Sequence, residues 1–156
     1  MIHCIRTNSE NENFRNLVRE LDSDLSIRDG KDHSFYAQFN KIDNIKYVLV
    51  GFENELAVGC GAIKEYDEHT MEVKRMYVVL NSRGQGIAST ILRELEQWAV
   101  ELNYKKCQLE TGKNQPEALA LYKKNGYIII PNFGQYKSIE NSVCFEKILI
   151  AEEMGS

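Results

Sequence analysis

Arg83-Gly84-Gln85-Gly86-Ile87-Ala88 is a glycine-rich turn between the apolar run Met76–Leu80 and a long amphipathic segment. A strand, a tight turn and a helix in that order make a socket for a phosphate group. Glycines at 84 and 86 let the backbone approach a ligand with no side chain in the way. The amides of residues 83–88 can then point at phosphate oxygens, and a helix that begins there adds a favourable end charge, with Arg83 available to close the socket. Two familiar phosphate sites do not fit. A P-loop needs lysine and then Ser or Thr after its glycines, where this chain has Ile87 and Ala88. A dinucleotide fingerprint has another glycine spacing and opens its strand-turn-helix unit, whereas this turn follows several predicted strands. What remains is the pyrophosphate of another cofactor, or a glycine turn that only starts a helix.

The elements that must position such a turn follow from periodicity. Ile2–Arg6 reads as a first strand, and Phe14, Leu17, Val18, Leu21 and Leu25 recur at helical spacing within Glu10–Leu25. Asp29–Asn40 is expected to hold a second helix. Tyr47–Phe52 and Leu56–Ile63 are strands joined as a hairpin through Glu53-Asn54-Glu55, and Met71–Val79 is the next strand. Gly86–Leu102 carries Ile87, Ile91, Leu95, Trp98 and Leu102 along one helical stripe. Lys106–Glu110 is a strand, and Pro116–Asn125 is a helix that opens on proline and stops at Gly126. Tyr127–Ile130 and Val143–Ile150 complete the strands. A mixed α/β sheet with helices packed on it follows, as one domain over 1–150 with a short tail at 151–156.

Composition narrows the function classes. A chain of 156 residues, 43% hydrophobic and 27% charged, needs no disulfide or metal staple to fold. No stretch approaches the roughly 20 apolar residues of a membrane span, and Met1-Ile2-His3-Cys4-Ile5-Arg6 lacks a signal-peptide pattern, so no membrane association and a cytoplasmic location are expected. Cys4, Cys60, Cys107 and Cys144 are too widely spaced for a metal or redox motif and read as buried thiols; no metal is expected. His3, His33 and His69 are equally scattered. A formal net charge of -4 without a basic block argues against nucleic acid and leaves room for a cationic small molecule or peptide amine.

Val73-Lys74-Arg75-Met76-Tyr77-Val78, the turn at 83–88, Gln115-Pro116-Glu117-Ala118, Leu121-Tyr122 and Gly126-Tyr127 together resemble the GNAT superfamily of acetyl-CoA-dependent N-acetyltransferases. That family's cofactor motif is Arg or Gln, two residues, Gly, one residue, then Gly or Ala, which Arg83, Gly86 and Ala88 match. The resemblance covers nearly the whole element order, least clearly over Ile2–Asn44. It implies an acyl-CoA N-acyltransferase fold, a central and mostly antiparallel sheet of about seven strands flanked by about four helices. It also implies acetyl-CoA as co-substrate and an amine acceptor. Met76 and Val78 match the backbone positions that pair with the pantetheine arm, and Gly84, Gln85, Gly86, Ile87 and Ala88, with Arg83 and Ser89, match the pyrophosphate site. Gln115 stands where the family usually has Asn to bond the cofactor arm, and Asn114 beside it substitutes for that residue or caps the helix.

Tyr122 matches the tyrosine that protonates the departing thiolate in many relatives. An unperturbed phenol, with a pKa near 10, suits that transfer, although a core tyrosine would occupy the same helical face. Acetyl transfer to an amine also requires a neutral nucleophile, hence a proton acceptor. Glu72 matches the glutamate base of the histone-acetylating branch, and Glu110 is its rival; an ion pair or a surface role is the alternative for Glu72. Tyr66, Phe133, Tyr136 and Phe145 are candidates for an acceptor pocket, with Pro131–Tyr136 as the specificity loop. Cys144 as an acyl carrier is weaker, because direct transfer needs no covalent intermediate. A non-catalytic acyl-CoA-binding or regulatory module is the alternative function. The acceptor and dimerisation through a sheet edge are left open.

Overall fold

Phe14, Leu17 and Val18 form the buried face of α1 (Glu12–Asp29) in the computed structural model, which describes residues 2–29 and 44–149. The side chain of Asn11 caps this helix, accepting a 2.9 Å hydrogen bond from the amide of Phe14. Two compact units divide the chain, the first taking Met1–Lys64 and Val73–Leu95, the second Glu65–Glu72 and Glu96–Ser156.

In the first unit, β1 (His3–Thr7) pairs antiparallel with β2 (Tyr47–Glu53), and β2 pairs antiparallel with β3 (Leu56–Asp67). The expected hairpin is present. Asn54 and Glu55 both turn through positive φ, 57° and 136°, which suits the right-handed twist of the two strands. Phe14, Leu17 and Val18 pack with Val48, Val50, Cys60 and Ala62 as one core cluster. β4 (Thr70–Val78) lies beside β3, and a short 3-10 turn at Leu80–Ser82 leads toward α2 (Ile87–Glu101). Ile87, Ile91 and Leu95 are buried as their spacing predicts, joined by Leu92; Trp98 and Leu102 at the end of the predicted stripe are only half-buried. Gly59 and Gly61 make room for this helix. A methyl group at Gly59 would stand 2.9 Å from Ile91 and 3.0 Å from the Tyr77 carbonyl oxygen.

In the second unit, β5 (Lys106–Gly112) pairs antiparallel with β7 (Ser142–Ile148), which pairs antiparallel with β6 (Ile128–Ile130). Residues Thr70–Glu72 of β4 run parallel to Lys106–Gln108 of β5. The strand order is β1-β2-β3-β4-β5-β7-β6, a seven-stranded and mostly antiparallel mixed sheet. α3 (Pro116–Lys124) opens on its proline and ends before Gly126, whose φ of 90° lets the chain turn back. The described residues hold three α-helices rather than four, because the helix expected beyond Asp29 lies outside them, as do Ile150 and the tail at 151–156. No helix among the described residues is long and apolar enough to cross a membrane.

Candidate functional site

The glycine turn has the conformation that its residue types predict. Gly84 and Gly86 adopt φ of 81° and 80°, a left-handed backbone in which other residues are strained. A side chain at either would meet nothing within 4 Å, so conformation rather than crowding calls for glycine. The amides of residues 84–88 donate to no backbone carbonyl among the described residues, and they stand at the positive end of α2. Gly84, Gln85 and Gly86 are exposed, Ile87 and Ser89 buried, and Ala88 half-buried. These amides are preset for an anion.

The Arg83 guanidinium is held by its own unit. Its Nε donates to the Val78 carbonyl at 2.8 Å, it pairs with Asp24 at 3.6 Å, and it lies 5.4 Å from the centre of the Tyr77 ring. The Tyr77 hydroxyl in turn donates to Glu20 at 3.2 Å. Met76 is half-buried and Val78 buried, on a strand whose backbone is left-handed at Arg75, where φ is 62°. Arg75 is buried and pairs with Asp22 at 3.2 Å. The parallel β4–β5 ladder stops at Glu72 and Gln108.

The second unit gathers the acid-base candidates. Tyr122 is buried against Tyr127 and Phe145, with ring centres at 5.7 and 5.9 Å. Burial first, and then the nearby charge of Glu110, push its phenol above the ordinary value of 10.0, so it stays protonated at neutral pH. Glu72 is buried at the β4 end of the parallel ladder, opposite Gln108. Glu110 lies opposite Cys144 and accepts a 2.6 Å hydrogen bond from the Ser142 hydroxyl. Tyr136 is buried; its own burial, then Glu72, then Glu110 push its phenol up, so both carboxylates act on one hydroxyl. Cys144 is driven to about 11, mainly by burial, which leaves almost no thiolate at neutral pH and disfavours a covalent acyl carrier.

Phe133 joins Tyr66 and Tyr136 in an edge-to-face series, with ring centres at 5.3 and 5.7 Å. Phe145 does not belong with them. It follows Cys144 along β7, so it takes the opposite sheet face and packs on Tyr122. Asn114 does not cap α3 either; Gln115 is the N-cap residue and is buried, with no side-chain capping bond. Cys60, Cys107 and Cys144 are buried thiols as expected, whereas Cys4 is only half-buried. Among the described residues no three His, Cys, Asp or Glu side chains converge as a metal ligand set. Two features escape a motif search. Gln108, buried on β5, is signalled only by the alternation Lys106-Cys107-Gln108-Leu109-Glu110, which makes one face of an interior strand polar. Glu96 binds Tyr127 and Lys147 across sequence distances that no local pattern reveals.

The profile of the acetyltransferase (GNAT) family matches residues 12–127. The chain belongs to this family. Its membership agrees with the enzyme class that the motifs imply, an acetyl-CoA-dependent acetyltransferase. An IAA acetyltransferase of Azospirillum brasilense is 37% identical over 102 residues, 65% of this chain and 67% of that protein. An uncharacterised N-acetyltransferase of Bacillus subtilis, YsnE, is 31% identical over 63% of this chain, and the match spans 66% of its own length. The GNAT chain also superposes on a Klebsiella pneumoniae structure that carries an acyl-CoA N-acyltransferase assignment, with TM-score 0.81, 28% identity and coverage of 96% and 98% of the two chains. A GNAT acetyltransferase of Elizabethkingia anophelis, solved with acetyl-CoA bound, shares the fold at TM-score 0.67 and 19% identity, over 95% of this chain and 98% of that one.

Proposed function

We propose that this GNAT protein transfers acetyl from acetyl-CoA directly to a primary amine. The observation that carries the reading is the run of amides at residues 84–88, preset by two left-handed glycines at the start of α2. A pyrophosphate supplies the acceptor oxygens that such donors lack. The cofactor-binding set is Met76, Val78, Arg83, Gly84, Gln85, Gly86, Ile87, Ala88, Ser89, Gln115 and Tyr122. Met76 and Val78 offer backbone groups to the pantetheine amides, as an added strand would. Since the Val78 carbonyl already accepts from Arg83, its amide is the readier partner.

In the reaction, the neutral amine nitrogen attacks the thioester carbonyl carbon, a C–N bond forms and the C–S bond breaks. Glu72 takes the proton that the nitrogen loses, and Tyr122 gives its hydroxyl proton to the leaving sulfur. Exchange with water restores both groups, leaving an amide and CoA thiol. Burial suits Tyr122 to this role by holding its phenol in the donating form. A cytoplasmic site of action fits the acetyl-CoA supply.

The test is release of free thiol from acetyl-CoA across a panel of amines, run beside calorimetry of CoA binding. Amine-dependent release is expected. Stoichiometric CoA binding with no release from any amine would replace the enzyme with a binding module.

A further inference from the structure

One face of β4 and β5 carries more polar chemistry than acetyl transfer to a simple amine requires. The parallel register sets Glu72 beside Gln108, and the antiparallel register sets Glu110 beside Cys144. With Gln108 and Glu110 two residues apart, all four side chains rise from the same face of the sheet. The carboxylate of Glu110 is fixed there by the Ser142 hydroxyl at 2.6 Å. Gln108 is 4% exposed, and its Nε2 has no hydrogen-bond partner among the described residues. A buried donor at that depth calls for an acceptor atom, brought by a ligand or by its water. The Tyr136 hydroxyl feels both carboxylates, and from Tyr136 the rings of Phe133 and Tyr66 lead outward to a 44% exposed rim. Aromatic faces along such a path favour cations.

We propose that this face is the acceptor subsite, and that it selects amines whose carbon chain carries a second cationic nitrogen over amines that carry a carboxylate. The proposal rests on the acetyl-transfer reading above. Glu72 and Glu110 both act on the Tyr136 hydroxyl, and one ammonium offsets only one of the two charges. A diamine brings a charge for each: one nitrogen is deprotonated for attack beside Glu72, while the other stays protonated on Glu110. Glu146, opposite Gln108 on this face, is already matched by Lys106 at 3.2 Å, so an acceptor carboxylate would add its negative charge to the two of Glu72 and Glu110. Gln108 then orients the chain through a water or the neutral nitrogen.

Putrescine, butylamine and γ-aminobutyrate share a four-carbon chain and differ only at the far end, as ammonium, methyl and carboxylate. Their binding to the full chain loaded with CoA is measured by calorimetry, and their acetylation is measured in parallel. Putrescine is expected to bind at least roughly tenfold more tightly than butylamine, and γ-aminobutyrate more weakly than either. Glu110→Gln, which keeps the shape and can still accept from Ser142, is expected to bring putrescine down to the butylamine level. Gln108→Leu is expected to weaken both amines together. Equal binding of putrescine and γ-aminobutyrate, or a putrescine preference that survives Glu110→Gln, would overturn the subsite. Turnover without the preference overturns the subsite and leaves acetyl transfer standing; the preference without turnover does the reverse.

Discussion

The Tyr127 hydroxyl donates to Glu96 at 2.8 Å, a phenol bonded to a buried carboxylate on α2. Lys147 donates to the other Glu96 oxygen at 2.9 Å and lies 5.8 Å from the Tyr127 ring centre, so α2, β7 and the residue before β6 meet at one carboxyl group. Removing the phenol leaves a carboxylate oxygen that it had satisfied. Tyr127→Phe is therefore expected to cost about 1–2 kcal/mol, read as a lower urea midpoint with an unchanged slope. An unshifted midpoint would mean that water replaces the phenol without loss.

Tyr122→Phe removes only the hydroxyl of a buried ring that packs on Tyr127 and Phe145. Transfer is expected to slow at least roughly tenfold, since general acid catalysis typically contributes more than that. CoA affinity should change far less. Equal loss of both would show a packing role and end the case for Tyr122 as the acid.

Gly86→Ala introduces no clash, as nothing lies within 4 Å of the added methyl, but it forces alanine into φ of 80°. The expected cost to stability is about 1–2 kcal/mol. A larger effect is expected on CoA affinity, because the amides of residues 84–88 lose their alignment. Calorimetry beside thermal melting separates the two, and unaltered CoA binding would remove the turn from the cofactor site.

Burial raises the Cys60 and Cys107 thiols from 9.0 to about 12. A group whose pKa is higher in the folded state ionises more readily once unfolded. Its contribution to stability is therefore complete below about pH 9 and is lost as pH rises toward 12, by about 1.4 kcal/mol per thiol for each pH unit. Urea midpoints from pH 7 to 10.5 should fall more steeply in the native chain than in a Cys60→Ala, Cys107→Ala variant. Parallel slopes would contradict the assignment.

Gly59 lies under α2, where a methyl would stand 2.9 Å from Ile91 and 3.0 Å from a backbone oxygen. The oxygen cannot yield as a side chain can. Gly59→Ala is expected to destabilise by about 1–3 kcal/mol, measured by denaturant unfolding, and a neutral result would mean that β4 shifts to accommodate it.

Much of this architecture is written in local pattern. Ile87, Ile91 and Leu95 mark α2 because one helical face must be apolar to pack, and Pro116 and Gly126 bracket α3 because each restricts the backbone in its own way. The glycine turn is legible for the same reason. Arg75 is not: its left-handed φ falls within a strand, at a residue type that carries no turn signal. Neither is the company of Tyr122 legible, because a helical face looks alike whether it meets a core or a ligand. Phe145 shows the limit most plainly. One residue along β7 separates it from Cys144 and sends it to the other face, and only the strand register with β5 decides which face that is.

The division of the chain between its two units also sets an order of assembly. The glycine turn belongs to a unit whose residues have all been added once Leu95 is synthesised, and at roughly 5–20 residues per second Glu96–Ser156 takes about 3–12 s more. Glu65–Glu72 is made early but belongs to the later unit, and its parallel partner in β5 begins only at Lys106. On the ribosome, the candidate base therefore waits for its strand partner, while the glycine turn already has the whole of its own unit.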